Sequence, residues 1–221
     1  MKKNTKEILM TKGEELISKK GYYDTKVEDI TKESGVAKGT FYIYFESKEE
    51  LFMEMINKKG EIHGATVKKI EEQDIEFKDK IMSLTEAFIK LMVENLGFFR
   101  SFFKISQLDN GSIGEKIKKM MIKNHYLMNE NLSRIFLKAV NTGEINIKYK
   151  DMTKELAIMY DTMRSEYIVR RLLDITYSKG DKEIECPVGC NKLDAIDVSA
   201  EDIDIRKEAE FITNIFLCGV N

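Results

Sequence analysis

The fold of this chain is decided by residues 25–52, which read TKVEDITKESGVAKGTFYIYFESKEELF. Thr25 and Glu28 stand three residues apart, a spacing typical of the capping box that satisfies free amides at a helix start. Gly35 stands where this first helix must end, because glycine tolerates the positive φ of a tight turn. The stretch therefore predicts three short helices with a helix-turn-helix at the centre.

The middle helix of this stretch has two chemically different faces. Phe41 and Phe45 lie four residues apart, so they share one face and are expected to pack inward. Val27, Ile30 and Val36 supply the buried side of the preceding helix and turn. The residues left at or near the outer face are Lys38, Gly39, Thr40, Tyr42, Ile43 and Tyr44. Burial is an open alternative for Ile43.

This pattern resembles the N-terminal DNA-binding domain of the TetR/AcrR family of bacterial regulators. The matching positions are Ile8-Leu9, Gly21-Tyr22, Thr25-Lys26-Val27, Ile30, Ser34-Gly35-Val36, Lys38-Gly39-Thr40-Phe41-Tyr42, Tyr44-Phe45 and Ser47-Lys48-Glu49-Glu50-Leu51. Two departures concern local stability. Gly13 replaces the usual alanine inside the first helix, at a cost of about 1 kcal/mol. Ala37 stands where a serine normally caps the recognition helix. Losing that cap costs about 1 kcal/mol of local stability.

The resemblance implies an all-α fold of two parts. Residues 1–50 would form a three-helix DNA-binding domain with the helix-turn-helix, and residues 51–221 a helical effector-binding and dimerisation domain. The residues that the resemblance assigns to DNA are Thr25, Lys26, Lys38, Gly39, Thr40, Tyr42, Tyr44 and Lys48. Of these, Thr40 is expected to touch a base, while the tyrosines and lysines are expected to contact phosphates.

Charge is distributed unevenly along the chain. The formal net charge is −2, yet residues 1–60 hold 12 lysines against 11 acidic residues. A weakly basic N-terminal segment joined to an acidic remainder confines DNA contact to one end of the chain. The sequence contains no apolar run near the ~20 residues of a membrane span and no signal peptide, so we expect a cytoplasmic protein.

The pattern of residues 51–221 predicts further amphipathic helices. A fourth helix should start at Ser47, where Glu50 repeats the capping spacing, and others should cover 113–141, 152–177 and 199–217, with Asp151 as the N-cap of the helix from 152. The aromatic and methionine side chains are compatible with ordinary core packing or with an apolar effector pocket, which the family commonly carries. The candidate ligand-binding residues are Phe88, Met92, Phe99, Arg100, Phe103, Met121, His125, Tyr160, Met163, Arg164 and Tyr167. Arg100, Arg164 or His125 would favour an anionic group if it pointed inward.

The C-terminal helix carries an apolar stripe of Phe211, Ile212, Ile215 and Phe216. In the resembling family the last two long helices form the dimer interface as a four-helix bundle. This implies a homodimer.

Cys186 and Cys190 leave three readings open, namely free thiols, a redox sensor or part of a metal site. Free thiols are favoured in a reducing cytosol, and no histidine lies nearby to complete a zinc site. No catalytic triad or phosphate-binding glycine loop is visible. We therefore expect no enzyme activity, no cofactor and no resident metal.

The leading hypothesis is a DNA-binding repressor released from a pseudo-palindromic duplex operator by a small hydrophobic or amphipathic effector. The alternative is a DNA-organising protein of the same fold whose body binds a protein partner. An open cavity in the body favours the first, and a filled body with an exposed apolar patch favours the second.

Overall fold

The structure is a computed structural model that describes residues 5–173 and 203–220. Its helices are α1 (Thr5–Lys20), α2 (Val27–Glu33), α3 (Lys38–Tyr44), α4 (Lys48–Glu72), α5 (Phe77–Glu94), α6 (Leu96–Leu108), α7 (Ser112–Thr142), α8 (Thr153–Leu173) and α9 (Ile205–Val220), with a 3-10 helix (Ile147–Met152) before α8. No strand occurs in these ranges, and the all-α prediction is confirmed. The predicted loop with Cys186 and Cys190 lies outside the described residues.

The described residues divide into two compact units. The first unit draws on Met1–Asp74 and Asn95–Met128, and the second on Ile75–Glu94 and Asn129–Asn221. The boundary predicted after residue 50 falls within the first turn of α4. The functional division into a DNA reader and an effector body stays a prediction.

The helix-turn-helix of the first unit consists of α2, α3 and the turn at Gly35, whose φ of +67° agrees with the prediction. The predicted cap of α2 is wrong by one residue. Asp29, not Glu28, accepts the backbone amide of the N-cap residue Lys26 at 3.2 Å, because α2 begins only at Val27. A carboxylate three residues after the N-cap still satisfies an amide of the first turn.

The cap of α4 follows the predicted pattern. The Ser47 hydroxyl accepts the amide of Glu50 at 3.1 Å, and the Glu50 carboxylate accepts the amide of Glu46. Two otherwise free donors are thereby satisfied, which fixes the point where the chain leaves α3 and enters the long helix α4.

Aromatic side chains form much of the core of the first unit. Phe41 and Phe45 are buried, as predicted, with their ring centroids 5.5 Å apart. The Phe52 ring of α4 lies 4.9 Å from Tyr22 and 5.0 Å from Phe98 of α6. These contacts bury α4 between the N-terminal turn and α6.

Helices α1 and α6 approach each other closely at Gly97. A Cβ added to Gly97 would lie 2.5 Å from the Ser18 carbonyl oxygen, well inside van der Waals contact. One turn later the Ser101 hydroxyl donates to the Ile17 carbonyl at 3.4 Å. Glycine is therefore required by packing at residue 97, since any side chain there must push two backbones apart.

The second unit packs α5, α8, α9 and the end of α7 around rings. Tyr160 of α8 lies 5.2 Å from Phe216 of α9, and Phe136 of α7 lies 5.6 Å from the same ring. Phe77, at the start of α5, makes an edge contact with Phe136 at 5.1 Å. The unit is therefore held by apolar burial across helices that are far apart in sequence.

Two predicted helix starts in this unit are wrong. Helix α8 has no Asp151 cap, because a 3-10 helix capped by Asn146 occupies the preceding residues and α8 starts at Thr153. Helix α9 starts at Ile205 rather than 199, because the Asp204 carboxylate accepts a first-turn amide at 3.1 Å. The preceding 3-10 helix decides where α8 starts, and the Asp204 cap decides where α9 starts; the apolar periodicity locates neither.

The Gly97 contact makes a prediction about stability. Gly97→Ala should lower the free energy of unfolding by about 1–3 kcal/mol, the usual cost of overpacking. Gly64→Ala on α4 is the matched control, because a Cβ there meets no atom within 4 Å. The control should be neutral or raise stability by up to about 1 kcal/mol through helix propensity. Urea unfolding followed by circular dichroism measures both, and equal effects of the two substitutions would contradict the close approach.

Candidate nucleic-acid interface and buried polar cluster

Helix α3 turns a mixed polar and apolar face outward, because Phe41 and Phe45 bury the opposite side. Tyr42 is 50% exposed and Ile43 is 77% exposed. The remaining candidates on this helix are Lys38 and Gly39, which are exposed, and Thr40 and Tyr44, which are half-buried. The sequence leaves the burial of Ile43 open, and the structure shows that it is exposed. Its position three residues after Thr40 places both on one face and is the signal for its exposure.

Gly39 faces open space on α3. A Cβ added to Gly39 would meet no atom within 4 Å, and its φ is not in the left-handed region. Neither packing nor backbone geometry within the protein therefore requires glycine here. A glycine of this kind suits a surface that another backbone must approach closely.

Lys38 forms an exposed ion pair with Glu28 of α2. The hydrogen bond between them raises the pKa of Lys38 and lowers the pKa of Glu28. Exposed ion pairs contribute little to folding, so the ammonium of Lys38 can exchange this carboxylate for another anion at small cost. Lys26, at the N-cap of α2, is also exposed.

Two other DNA-binding candidates point inward. Thr25 is buried and its hydroxyl donates to the Gly21 carbonyl at 2.8 Å. The half-buried Lys48 ammonium donates to the carbonyls of Tyr22 and Thr25 at 2.7 and 2.8 Å, and lies 4.1 Å from the Tyr22 ring centroid. Burial lowers the pKa of Lys48. Both side chains hold the turn between α1 and α2, so a phosphate contact would require them to give up these bonds.

A buried polar cluster occupies the core of the second unit. Arg164 is 1% exposed, and its Nη2 lies 2.5 Å from Oδ1 of buried Asp161. The guanidinium carbon lies 4.8 Å from the Phe88 ring centroid. The Tyr160 hydroxyl donates to a carbonyl of α5 at 3.0 Å and pairs with the Thr85 hydroxyl. Burial raises the pKa of Tyr160, so this hydroxyl remains a neutral donor.

The remaining ligand-binding candidates divide between the two units. In the second unit, Met92 is buried and Met163 and Tyr167 are half-buried. In the first unit, the placements are Phe99 buried, Phe103 and Met121 half-buried, and Arg100 and His125 exposed. Of the three cationic anchors considered, Arg164 alone is therefore in the core of its unit.

A shallow groove that is open to solvent lies beside Tyr167 in the second unit. Its lining residues are Ile89, Tyr167, Ile168, Arg171, Ile203 and Glu208. The Tyr167 hydroxyl donates to the Glu208 carboxylate at 2.6 Å, and burial followed by this bond raises the pKa of Tyr167 to about 12. The groove encloses no cavity that could hold a ligand, and the Tyr167 hydroxyl and Glu208 carboxylate that line it are already paired with each other.

The apolar stripe of α9 has two faces. Ile212 and Phe216 are buried within the second unit, whereas Phe211 is 49% and Ile215 51% exposed. Ile158 and Met159 of α8 are also exposed. Only the exposed members of the stripe are available to a second copy of the chain.

In the parts of the chain that the structure describes, no helix is long and apolar enough to cross a membrane. The same residues contain no group of three or more His, Cys, Asp or Glu side chains placed to hold a metal ion.

Comparison with known proteins bears on this geometry. Residues 9–55 match the model of the bacterial regulatory proteins of the tetR family. The chain is 47% identical over 55 residues to an uncharacterised HTH-type transcriptional regulator in the lacX 3' region of Lactococcus lactis, and 36% identical over 58 residues to the fatty acid metabolism regulator protein of Bacillus subtilis. These alignments cover 25% and 26% of this chain and 28% of each relative.

The likeness of fold extends further along the chain. The solved fatty acid degradation regulator FadR from Bacillus halodurans superposes with a TM-score of 0.68 at 16% identity, over 99% of this chain and 97% of that one. The predicted family resemblance is confirmed over residues 9–55, and the predicted helical architecture over nearly the whole chain. These relatives are described as regulators, in agreement with the expectation that the chain is not an enzyme.

The placement of Lys48 makes a prediction about stability. Lys48→Met keeps the apolar stem and removes the donor of two carbonyl contacts, so it should cost about 1–2 kcal/mol of unfolding free energy. Lys38→Met is the control, because its ion pair is exposed and should leave stability nearly unchanged. Urea denaturation compares the two variants. A Lys48 variant as stable as the Lys38 variant would show that these carbonyl bonds contribute nothing.

Proposed function

We propose that this chain, whose N-terminal domain belongs to the TetR family of bacterial regulatory proteins, is a dimeric cytoplasmic transcription repressor. It binds a pseudo-palindromic duplex operator and leaves it when a small hydrophobic or amphipathic molecule binds the second unit. No cofactor takes part. The observation that carries this proposal is the exposed face of α3, where an isoleucine and a glycine stand open to solvent beside lysine and tyrosine.

The outer face of α3 has the chemistry of a major-groove reader. Thr40 and Ile43 carry methyl groups suited to the thymine methyl, and Gly39 lets the helix backbone approach the bases. Tyr42 and Lys38 lie beside them and supply phosphate contacts, which fix register without reading sequence. On this one helix, Thr40 and Ile43 thus read the bases. Tyr42 and Lys38 donate to phosphates and anchor the helix.

Two copies are needed because one short helix reads few base pairs. Specific operators of helix-turn-helix proteins place two half-sites about one helical turn apart, matched by the twofold axis of the dimer. We assign the dimer contact to α8 and α9. Their exposed apolar residues Phe211, Ile215, Ile158 and Met159 lack cover within the second unit, and apolar surface of this kind marks protein interfaces.

Release from DNA follows if the effector binds one conformation of the second unit more tightly than the other. Moving the protein from 1:99 to 99:1 between the two states requires about 5.5 kcal/mol of differential binding. The buried Arg164–Asp161 pair supports an effector site in this unit, because buried charged groups in an apolar core are expensive and tend to mark functional sites.

The first test of the proposal is selection from random duplex DNA with the full chain, which should enrich a pseudo-palindrome. Tyr42→Phe, which removes one hydroxyl, should weaken binding to all sequences alike. Thr40→Ala and Ile43→Ala should change preference at particular base pairs, by about 1–3 kcal/mol each. Failure to enrich any motif would sink the assignment as a specific regulator.

Gly39→Ala gives a second arm of that test, because it separates folding from DNA contact. The free space around Gly39 leaves folding stability unchanged or slightly raised. The added methyl should nevertheless lower operator affinity by about tenfold, since it holds the helix away from the bases. Gly64→Ala, also in open space but on α4, should leave operator affinity unchanged.

A second prediction concerns assembly. Ile215→Asp places an unpaired charge in the proposed dimer seam and should yield a monomer, at a cost of several kcal/mol of association free energy. Because Ile215 is half exposed in the single chain, the monomer should remain folded, unlike a variant at buried Phe216. Analytical ultracentrifugation decides the outcome, and a fully dimeric Ile215→Asp protein would place the interface elsewhere.

A further inference from the structure

Residues 1–60 lack the side chains that read DNA bases most specifically. They contain no arginine and no glutamine, and their two asparagines, Asn4 and Asn57, lie outside α3. Arginine is the usual partner of guanine in the major groove, and asparagine or glutamine of adenine, because each can make two hydrogen bonds to one base. Helix α3 also has no aspartate or glutamate to accept from cytosine. A reader built on α3 therefore distinguishes bases by other contacts.

The centre of the exposed face of α3 is apolar. On the 3.6-residue repeat of a helix, Ile43 lies opposite the midpoint between the buried Phe41 and Phe45. Ile43 is 77% exposed, and Gly39 and Thr40 lie on either side of it on the helix surface. An isoleucine in this position adds little to folding, because most of its side chain stays in water. Its apolar surface is therefore available to a partner that binds this face of α3.

The remaining polar side chains of α3 flank this centre. Lys38 and Tyr42 lie on one side of it, and the half-buried Tyr44 lies on the other. In a major groove this arrangement directs the central side chains to the base edges and the flanking ammonium and hydroxyl groups to phosphates. A threonine hydroxyl bonds to more than one kind of base, so discrimination falls to the methyl groups of Thr40 and Ile43.

We infer that the chain recognises the C5 methyl groups of thymine, and that the centre of each operator half-site consists of A·T base pairs. The inference rests on the proposed function and names the base content of its operator. Thymine carries a methyl group on its major-groove edge, so it is the base against which exposed aliphatic carbons bury apolar area. A guanine in the same place would set two acceptors against Ile43, which has no side-chain donor to offer them.

Lys38 is the cationic side chain of α3 and provides the competing way to read a base, since lysine can donate to guanine. Its ammonium is bound to Glu28 of α2, and this pair must be broken before Lys38 reaches DNA. A phosphate replaces the carboxylate with another full negative charge, whereas guanine offers neutral acceptors. The exchange therefore favours phosphate, and removal of the guanine N7 acceptor distinguishes the two.

The test uses the duplex most enriched by selection with the full chain, prepared with thymine and again with deoxyuridine, which lacks only the C5 methyl. Fluorescence anisotropy at fixed salt measures the dissociation constant of each duplex. Replacing a contacted thymine in both half-sites should weaken binding by about fifteenfold, which is about fourfold for each buried methyl. Replacing guanine by 7-deazaguanine, which removes N7, should change binding by less than about twofold.

Ile43→Ala assigns the methyl contact to its residue. The uracil penalty at the base pair that faces Ile43 should fall to less than about twofold in this variant, because the partner of the methyl is gone. Ile122→Ala on α7 is the matched control, since Ile122 is 71% exposed, and it should keep the whole penalty. A change in fold would weaken the thymine and uracil duplexes alike, so the lost penalty identifies a contact.

Equal binding of thymine and uracil duplexes at every position would overturn the inference. So would a uracil penalty that persists in both Ile43→Ala and Thr40→Ala, or weaker binding to the 7-deazaguanine duplex. An enriched motif that binds equally well with uracil would remove methyl recognition and leave the DNA-binding regulator intact. Selection that enriches no motif would instead remove the proposed function, and the inference with it.

Discussion

Phe41 and Phe45 are buried side by side, and their burial sets the rotation of α3 about its own axis. Each buried phenylalanine contributes about 1.5–3 kcal/mol, so turning the helix by a quarter turn would cost more than any surface contact returns. The exposure of Ile43 follows from this constraint rather than from its own polarity. The side chains that α3 presents to solvent are therefore decided by two residues that are themselves buried.

Charge is handled differently in the two units. Around α2 and α3 the ionic groups form exposed pairs such as Lys38–Glu28, which exchange partners easily. In the second unit Arg164 and Asp161 are buried together, where separation of the pair is expensive. The exposed Lys38 is thus loosely held, whereas the buried Arg164 is held by a fixed partner.

The sequence predicted the helix-turn-helix well because its signals are local. The positive φ at Gly35, the Ser47 cap and the inward phenylalanines each depend on residues within one turn of each other. It could not predict that Lys48 points inward, because its carbonyl partners lie more than twenty positions earlier and are brought there by tertiary packing. The three-residue spacing of Asp161 and Arg164 is visible in the sequence and is compatible with a pair on one helix face. Their burial is not visible there, because it depends on packing against α5.

The close approach at Gly97 also bears on how sequences related to this one should be compared. Ser18 leaves no volume for a side chain at that position, while Gly60 and Gly64 face empty space. Substitutions should accumulate over generations at the two glycines of α4 and be removed at Gly97. Invariance at Gly97 in an alignment would then record a shortage of space between two helices. It would say nothing about ligand or operator, although it would look like the mark of a functional residue.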